Sequence, residues 1–159
     1  MPHFHSRQLR KGRFSETGRI YLVTTNCDRR RRVFLSVTAA RIVIDEFEHQ
    51  DNLDNCESLA FVVMPDHIHW MLQLKTKVGL SMIVRQMKGR AAFRINRTFR
   101  MTGRLWQPGF HDHAVRREED LENLANYIIQ NPIRADLVNN IDHYPHWGSV
   151  WHERKSLRG

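Results

Sequence analysis

A chain of 159 residues is about one domain long and can bury a core of its own. Its hydrophobic fraction of 41% excludes a disordered chain, and no apolar run reaches the roughly 18 residues a membrane helix needs. Lysine and arginine number 25 against 17 aspartates and glutamates, a formal net charge of +8 that favours a polyanionic partner.

Arginine outnumbers lysine, and its planar fork suits phosphate better than a point charge does. The N-terminal residues 1–13 are basic and lack the apolar stretch of a signal peptide, so a cytoplasmic protein is expected. Cys27 and Cys56 are too few for a disulfide framework or a cysteine-built zinc site.

Residues 18–26 are β-branched and aromatic and predict a strand, followed by a basic loop at 29–32. Ser36 is placed to cap a helix with Ala40, Val43, Ile44 and Phe47 on its apolar face. Residues 59–64 form a short apolar strand, and Pro65-Asp66 a tight turn. Residues 67–74 then alternate. Ile68, Trp70, Leu72 and Leu74 face a core, while His67, His69, Met71 and Gln73 face the other way.

Residues 80–98 predict a helix with Leu80, Ile83, Val84, Met87, Ala91 and Ile95 inward. Its other faces carry Arg85, Lys88, Arg90, Arg94 and Arg97. A strand is expected at 110–115. A last helix follows, with Glu118, Glu119 and Asp120 in its first turn and Leu121, Leu124, Ala125 and Ile128 on its apolar face; Pro132 marks its end. The order β-α-β-β-α-β-α predicts an α+β, ferredoxin-like (split β-α-β) antiparallel sheet with helices on one face and an added C-terminal helix. One domain, 1–159, is expected, with a core at about 14–138 and a tail at 139–159.

Period two sends the imidazoles of His67 and His69 to one side of a strand, where they can chelate one metal ion. His111 and His113 form a competing pair around Asp112, and a supporting role near the site suits His113 better. Tyr127 lies off the apolar stripe of the last helix, with Asn123 and Asn131 four residues to either side on the same face. The arginines and Lys88 of helix 80–98, with Arg29 and Arg30 of the basic loop, are candidate phosphate contacts. Trp106, Trp147 and Trp151 could stack unpaired bases, although packing explains them as well.

The run Phe61-Val62-Val63-Met64-Pro65-Asp66-His67-Ile68-His69-Trp70 resembles the His-hydrophobic-His signature of IS200-like single-tyrosine transposases. Tyr127-Ile128-Ile129-Gln130-Asn131-Pro132-Ile133-Arg134-Ala135-Asp136-Leu137-Val138 is similar to that family's catalytic helix and exit. Leu105-Trp106-Gln107-Pro108-Gly109-Phe110, Asp112-His113 and Tyr144-Pro145 point to its REP-associated branch, named for repetitive extragenic palindromes.

The resemblance implies a metal-dependent single-stranded DNA transposase and endonuclease acting on hairpin DNA. In that scheme His67, His69 and Asn131 bind Mg²⁺ or Mn²⁺, and Tyr127 becomes a 5′-phosphotyrosine. The insertion-sequence branch generally has glutamine where this chain has Asn131. A monomer is expected rather than the helix-exchanging dimer of that branch. The alternatives are a non-cleaving hairpin DNA- or RNA-binding protein of the same fold, and a hydrolase of small phosphate esters. The tail at 139–159 is read either as a cover for the site or as a DNA-docking segment.

Overall fold

The computed structural model describes residues 18–116 and 119–152; Glu118 and the basic stretch 1–13 fall outside them. In β1 (Ile20–Asn26), Tyr21, Val23 and Thr25 are buried and the residues between them half-buried, as a pleated strand between two layers requires. Ser36 opens α1 (Val37–Asn52), its Oγ accepting from the Ala39 N–H at 3.2 Å.

β2 (Cys56–Val63) starts three residues before the apolar run, because Cys56, Glu57 and Ser58 already pair with β3 (His67–Leu74). α2 (Leu80–Phe99) matches its sequence pattern to within a residue, and β4 (His111–Ala114) is one residue shorter at each end. α3 (Leu121–Ile129) is capped by Asp120, whose carboxylate accepts from the Asn123 N–H at 3.1 Å. Pro132 does not end this helix. α3 closes at Ile129, and Pro132 sits in a further helical turn, Asn131–Arg134, at a position where a missing N–H costs little.

The sheet order is β4-β1-β3-β2-β5, with each neighbouring pair antiparallel. β3 lies between β1 and β2, which is the split β-α-β arrangement. The fifth strand, β5 (Trp147–Ser149), comes from the segment read as a tail.

α1 and α2 cover one sheet face, burying Val23, Phe47, Trp70, Leu72, Ile83 and Met87 together. The opposite face is not the open surface that alternation alone suggests. Ala125, Ile128 and Ile129 of α3 pack there on Ala60, Val62 and Met71, joined by Tyr144 and Trp147. Met71, expected outward, is fully buried. The core thus extends past residue 138, and residues of 139–152 are part of it. Trp106 and Trp147 are buried, and Trp151 packs against this second core, so the three tryptophans are packing residues. Among the described residues no helix is long and apolar enough to cross a membrane.

Two contacts pin the tail. The Tyr144 hydroxyl donates to the Val63 carbonyl at 2.6 Å, and Gly148 lies opposite Phe61 in the β2–β5 register. A Cβ at Gly148 would fall 2.7 Å from Phe61 Cε2, so the ring sits where a side chain would be. Gly148→Ala is expected to lose about 1–3 kcal/mol of stability in urea unfolding. An unchanged midpoint would mean that Phe61 swings aside freely.

Candidate active site

β3 carries His67 and His69 to the sheet face that α3 covers, at the end of the strand next to the Pro65-Asp66 turn. Their rings stand edge to face with centroids 5.0 Å apart. Each Nδ1 already has a partner. His67 Nδ1 lies 2.7 Å from Asp66 Oδ1, and His69 Nδ1 lies 2.7 Å from the Thr24 hydroxyl on the neighbouring strand. Such contacts fix the tilt of each ring and leave the Nε2 atoms as the positions that could take a ligand.

Asp66 is shared between His67 and Arg30, since its Oδ2 accepts from Arg30 Nε at 3.0 Å. Partial burial alone would raise the Asp66 pKa, but hydrogen bonds from His67 and Arg30 outweigh it and hold the carboxyl below its usual range. It therefore stays an acceptor for His67 across the neutral range.

Burial first, then the nearby His67 and Arg134 charges, push the His69 pKa down to about 3. The folded imidazole stays neutral at a pH where the unfolded one, near 6.5, takes a proton. Stability from this residue is therefore complete above about 6.5 and falls as pH drops towards 3, by up to ~1.4 kcal/mol per pH unit. His69→Gln should flatten that slope in urea-unfolding curves at pH 7 and pH 5. Equal losses in wild type and variant would contradict it.

Tyr127 is 62% exposed, consistent with its position off the buried stripe. Asn131 follows one turn later and Arg134 two turns later, so the three share a side of the helical segment. The Asn131 Nδ2 donates to the Ile128 carbonyl at 2.8 Å, which leaves its amide oxygen as the atom able to ligate. Arg134 Cζ stands 4.0 Å from the centre of the Tyr127 ring, and its charge reaches His69. α3 itself packs on Val62 and Met71, neighbours of His69 on the same sheet face. No sequence argument above assigned Arg134 a role; the seven-residue spacing from Tyr127 was the available signal.

The basic candidates separate into two groups. Arg29 and Arg30 lie on the loop that leaves β1 next to the Pro65-Asp66 turn, and Arg30 reaches His67's partner Asp66. Arg85, Lys88, Arg90, Arg94 and Arg97 lie on α2, behind the sheet and away from the histidines. Several of them already hold the fold. Arg90 and Arg94 grip Glu46 at 2.7 and 2.8 Å, and Lys88 Nζ donates to the Gln107 and Gly109 carbonyls at 2.9 and 2.6 Å. Burial lowers the Lys88 pKa to about 8.

His111 and His113 sit across β1 from His69 and Met71, on the same sheet face. His113 is engaged otherwise: its Nε2 contacts both Glu119 oxygens at 3.1 and 3.2 Å, bracing the approach to α3. Among the described residues no three His, Cys, Asp or Glu side chains converge as a metal site.

A family model described as transposase, IS200-like, matches residues 17–131. A Haemophilus influenzae protein provisionally named a REP-associated tyrosine transposase is 29% identical over 100 residues, 57% of each chain. An Escherichia coli REP-associated tyrosine transposase is 28% identical over 88 residues, 54% of this chain and 50% of the relative. The matches span about half the length of these curated relatives.

In fold, the chain matches the structure of a REP-associated tyrosine transposase bound to a REP hairpin. The TM-score is 0.67 at 24% identity, over 85% of this chain and 79% of that one. A Deinococcus radiodurans protein provisionally named a transposase gives 0.54 at 21% identity, over 73% and 92%. These structural likenesses are likenesses of fold. With the family model matching well over half its length, the chain belongs to the IS200-like transposase family.

Proposed function

We propose that this chain cleaves and rejoins single-stranded DNA through a covalent 5′-phosphotyrosine on Tyr127, using Mg²⁺ or Mn²⁺ and acting on hairpin DNA of the repetitive extragenic palindrome type. The observation that carries the reading is that α3, bearing the exposed Tyr127, packs on Val62 and Met71, on the sheet face from which His67 and His69 project with their Nδ1 atoms already engaged. The hairpin substrate is supported by the fold match to a transposase bound to a REP hairpin, and the net charge of +8 agrees with a nucleic-acid partner.

The donor set suits a hard divalent ion with open coordination positions: two imidazoles and the Asn131 amide oxygen. When bound, such an ion makes the phosphorus more electrophilic and offsets charge on its oxygens. Asp66 and Thr24 keep the two imidazoles oriented. Tyr127 Oη forms the new bond to phosphorus, its proton passing to solvent, while the bond to the 3′-oxygen breaks and that oxygen leaves as a 3′-hydroxyl. The phosphotyrosine conserves the ester bond, so an incoming 3′-hydroxyl reverses the step and reseals the strand without ATP. α3 rests on its own chain's sheet, which supports a monomer.

The test is a labelled single-stranded hairpin oligonucleotide incubated with protein and Mg²⁺ or Mn²⁺, then run on a denaturing gel. A protein–DNA band that EDTA and His67→Ala both abolish is the expected result. Tight hairpin binding with no cleavage or linkage under any metal would sink the catalytic reading and leave a hairpin-binding protein.

A further inference from the structure

We infer that Arg134 is a catalytic residue of the proposed reaction, holding the Tyr127 ring with its guanidinium and meeting a non-bridging oxygen of the phosphate under attack. The inference rests on the tyrosine mechanism and adds to it a cation from the chain itself.

Three observations support it. The guanidinium covers the face of the phenol ring at 4.0 Å, a placement that attracts a cation and fixes the ring plane. Helical side chains lean towards the N-terminus, so an arginine two turns beyond Tyr127 is the one able to reach back over it. The tyrosine helix packs on Val62 and Met71, neighbours of His69 on the sheet face that carries both histidines, and a phosphate attacked by Tyr127 has to sit on that side.

The charge is also available. Arg30 is paired with Asp66, and Arg90 and Arg94 with Glu46. Among the described residues no carboxylate pairs with Arg134. A planar guanidinium offers two N–H groups to the oxygens of a phosphodiester. The proton balance of the step is unchanged, since Arg134 stays charged throughout.

The experiment compares wild type with Arg134→Ala, Arg134→Gln and Arg134→Lys. Single-turnover linkage to a hairpin oligonucleotide is measured with the scissile phosphate as each phosphorothioate diastereomer, and hairpin affinity by anisotropy without metal. Arg134→Ala should slow linkage roughly 10²- to 10³-fold while affinity changes little, and Arg134→Lys should recover part of the rate. The alanine and glutamine variants should also lose part of the preference between diastereomers, which a merely structural role would not touch.

In the free protein, the ¹³C aromatic resonances of Tyr127, assigned with Tyr127→Phe, should move in Arg134→Ala. Wild-type linkage rates in Arg134→Ala, a rate falling only in step with affinity, or unmoved Tyr127 resonances would each overturn the inference. If wild type forms no adduct, the tyrosine mechanism falls and the catalytic role with it, while the resonances still report whether Arg134 holds the ring.

Discussion

Tyr127→Phe is expected to abolish covalent linkage to DNA while leaving the fold and hairpin affinity intact. The substitution removes one oxygen from a residue that is 62% exposed and whose hydroxyl has no hydrogen-bond partner among the described residues. The ring itself stays, and with it the surface that Arg134 covers. Stability should therefore stay within about 0.5 kcal/mol of wild type, as for other surface changes. Removing a nucleophile from a covalent mechanism costs on the scale of 10⁶-fold, which on a gel is complete loss of the adduct.

The pairing of results matters more than either alone. Loss of linkage with a normal melting curve and normal hairpin binding assigns the chemistry to the hydroxyl. A persistent adduct in the phenylalanine variant would move the nucleophile elsewhere. The other described tyrosines are poor replacements. Tyr21 is buried under α1 and α2, and burial raises the Tyr144 pKa to about 12 while its hydroxyl is bound to the Val63 carbonyl.

The strands and long helices were readable because each carries one clear period. The alternation of residues 67–74 put Trp70 and Leu72 in the main core and the two histidines on the other face, and both are found there. That alternation cannot say what covers the second face. Met71 is buried because α3 and the tail return to it from more than fifty residues away, and neither partner is visible from β3 itself.

β5 escaped notice for a similar reason: three residues, Trp147, Gly148 and Ser149, have no periodicity to read, and their strand exists only through pairing with β2. Thr24 and Asp66, which hold the histidine rings, are ordinary residues in sequence; only cross-strand register and a tight turn bring them to Nδ1. Arg134 was in view but unread, since its partner is two turns away.

The basic stripe of α2 is the reading that the structure changes most, and Arg90→Ala with Arg94→Ala tests the change. Glu46 of α1 is 1% exposed, so its carboxylate has left water and depends on what it meets inside. Arg90 Nε binds its Oε1 at 2.7 Å and Arg94 Nη1 its Oε2 at 2.8 Å, saturating both oxygens and joining α1 to α2. Either arginine alone can still pair with the carboxylate, so single variants should lose less than the double.

Removing both leaves a buried charge without a partner, which costs about 3–5 kcal/mol. Adding Glu46→Met to the double variant should restore most of the loss, because the uncompensated charge is then gone. Hairpin affinity, measured at a fixed salt concentration where all variants are folded, should change little, since α2 packs on the sheet face opposite to His67 and His69. A double variant that unfolds at the wild-type urea midpoint but binds DNA more weakly, with a shallower salt dependence, would return these arginines to the phosphate backbone.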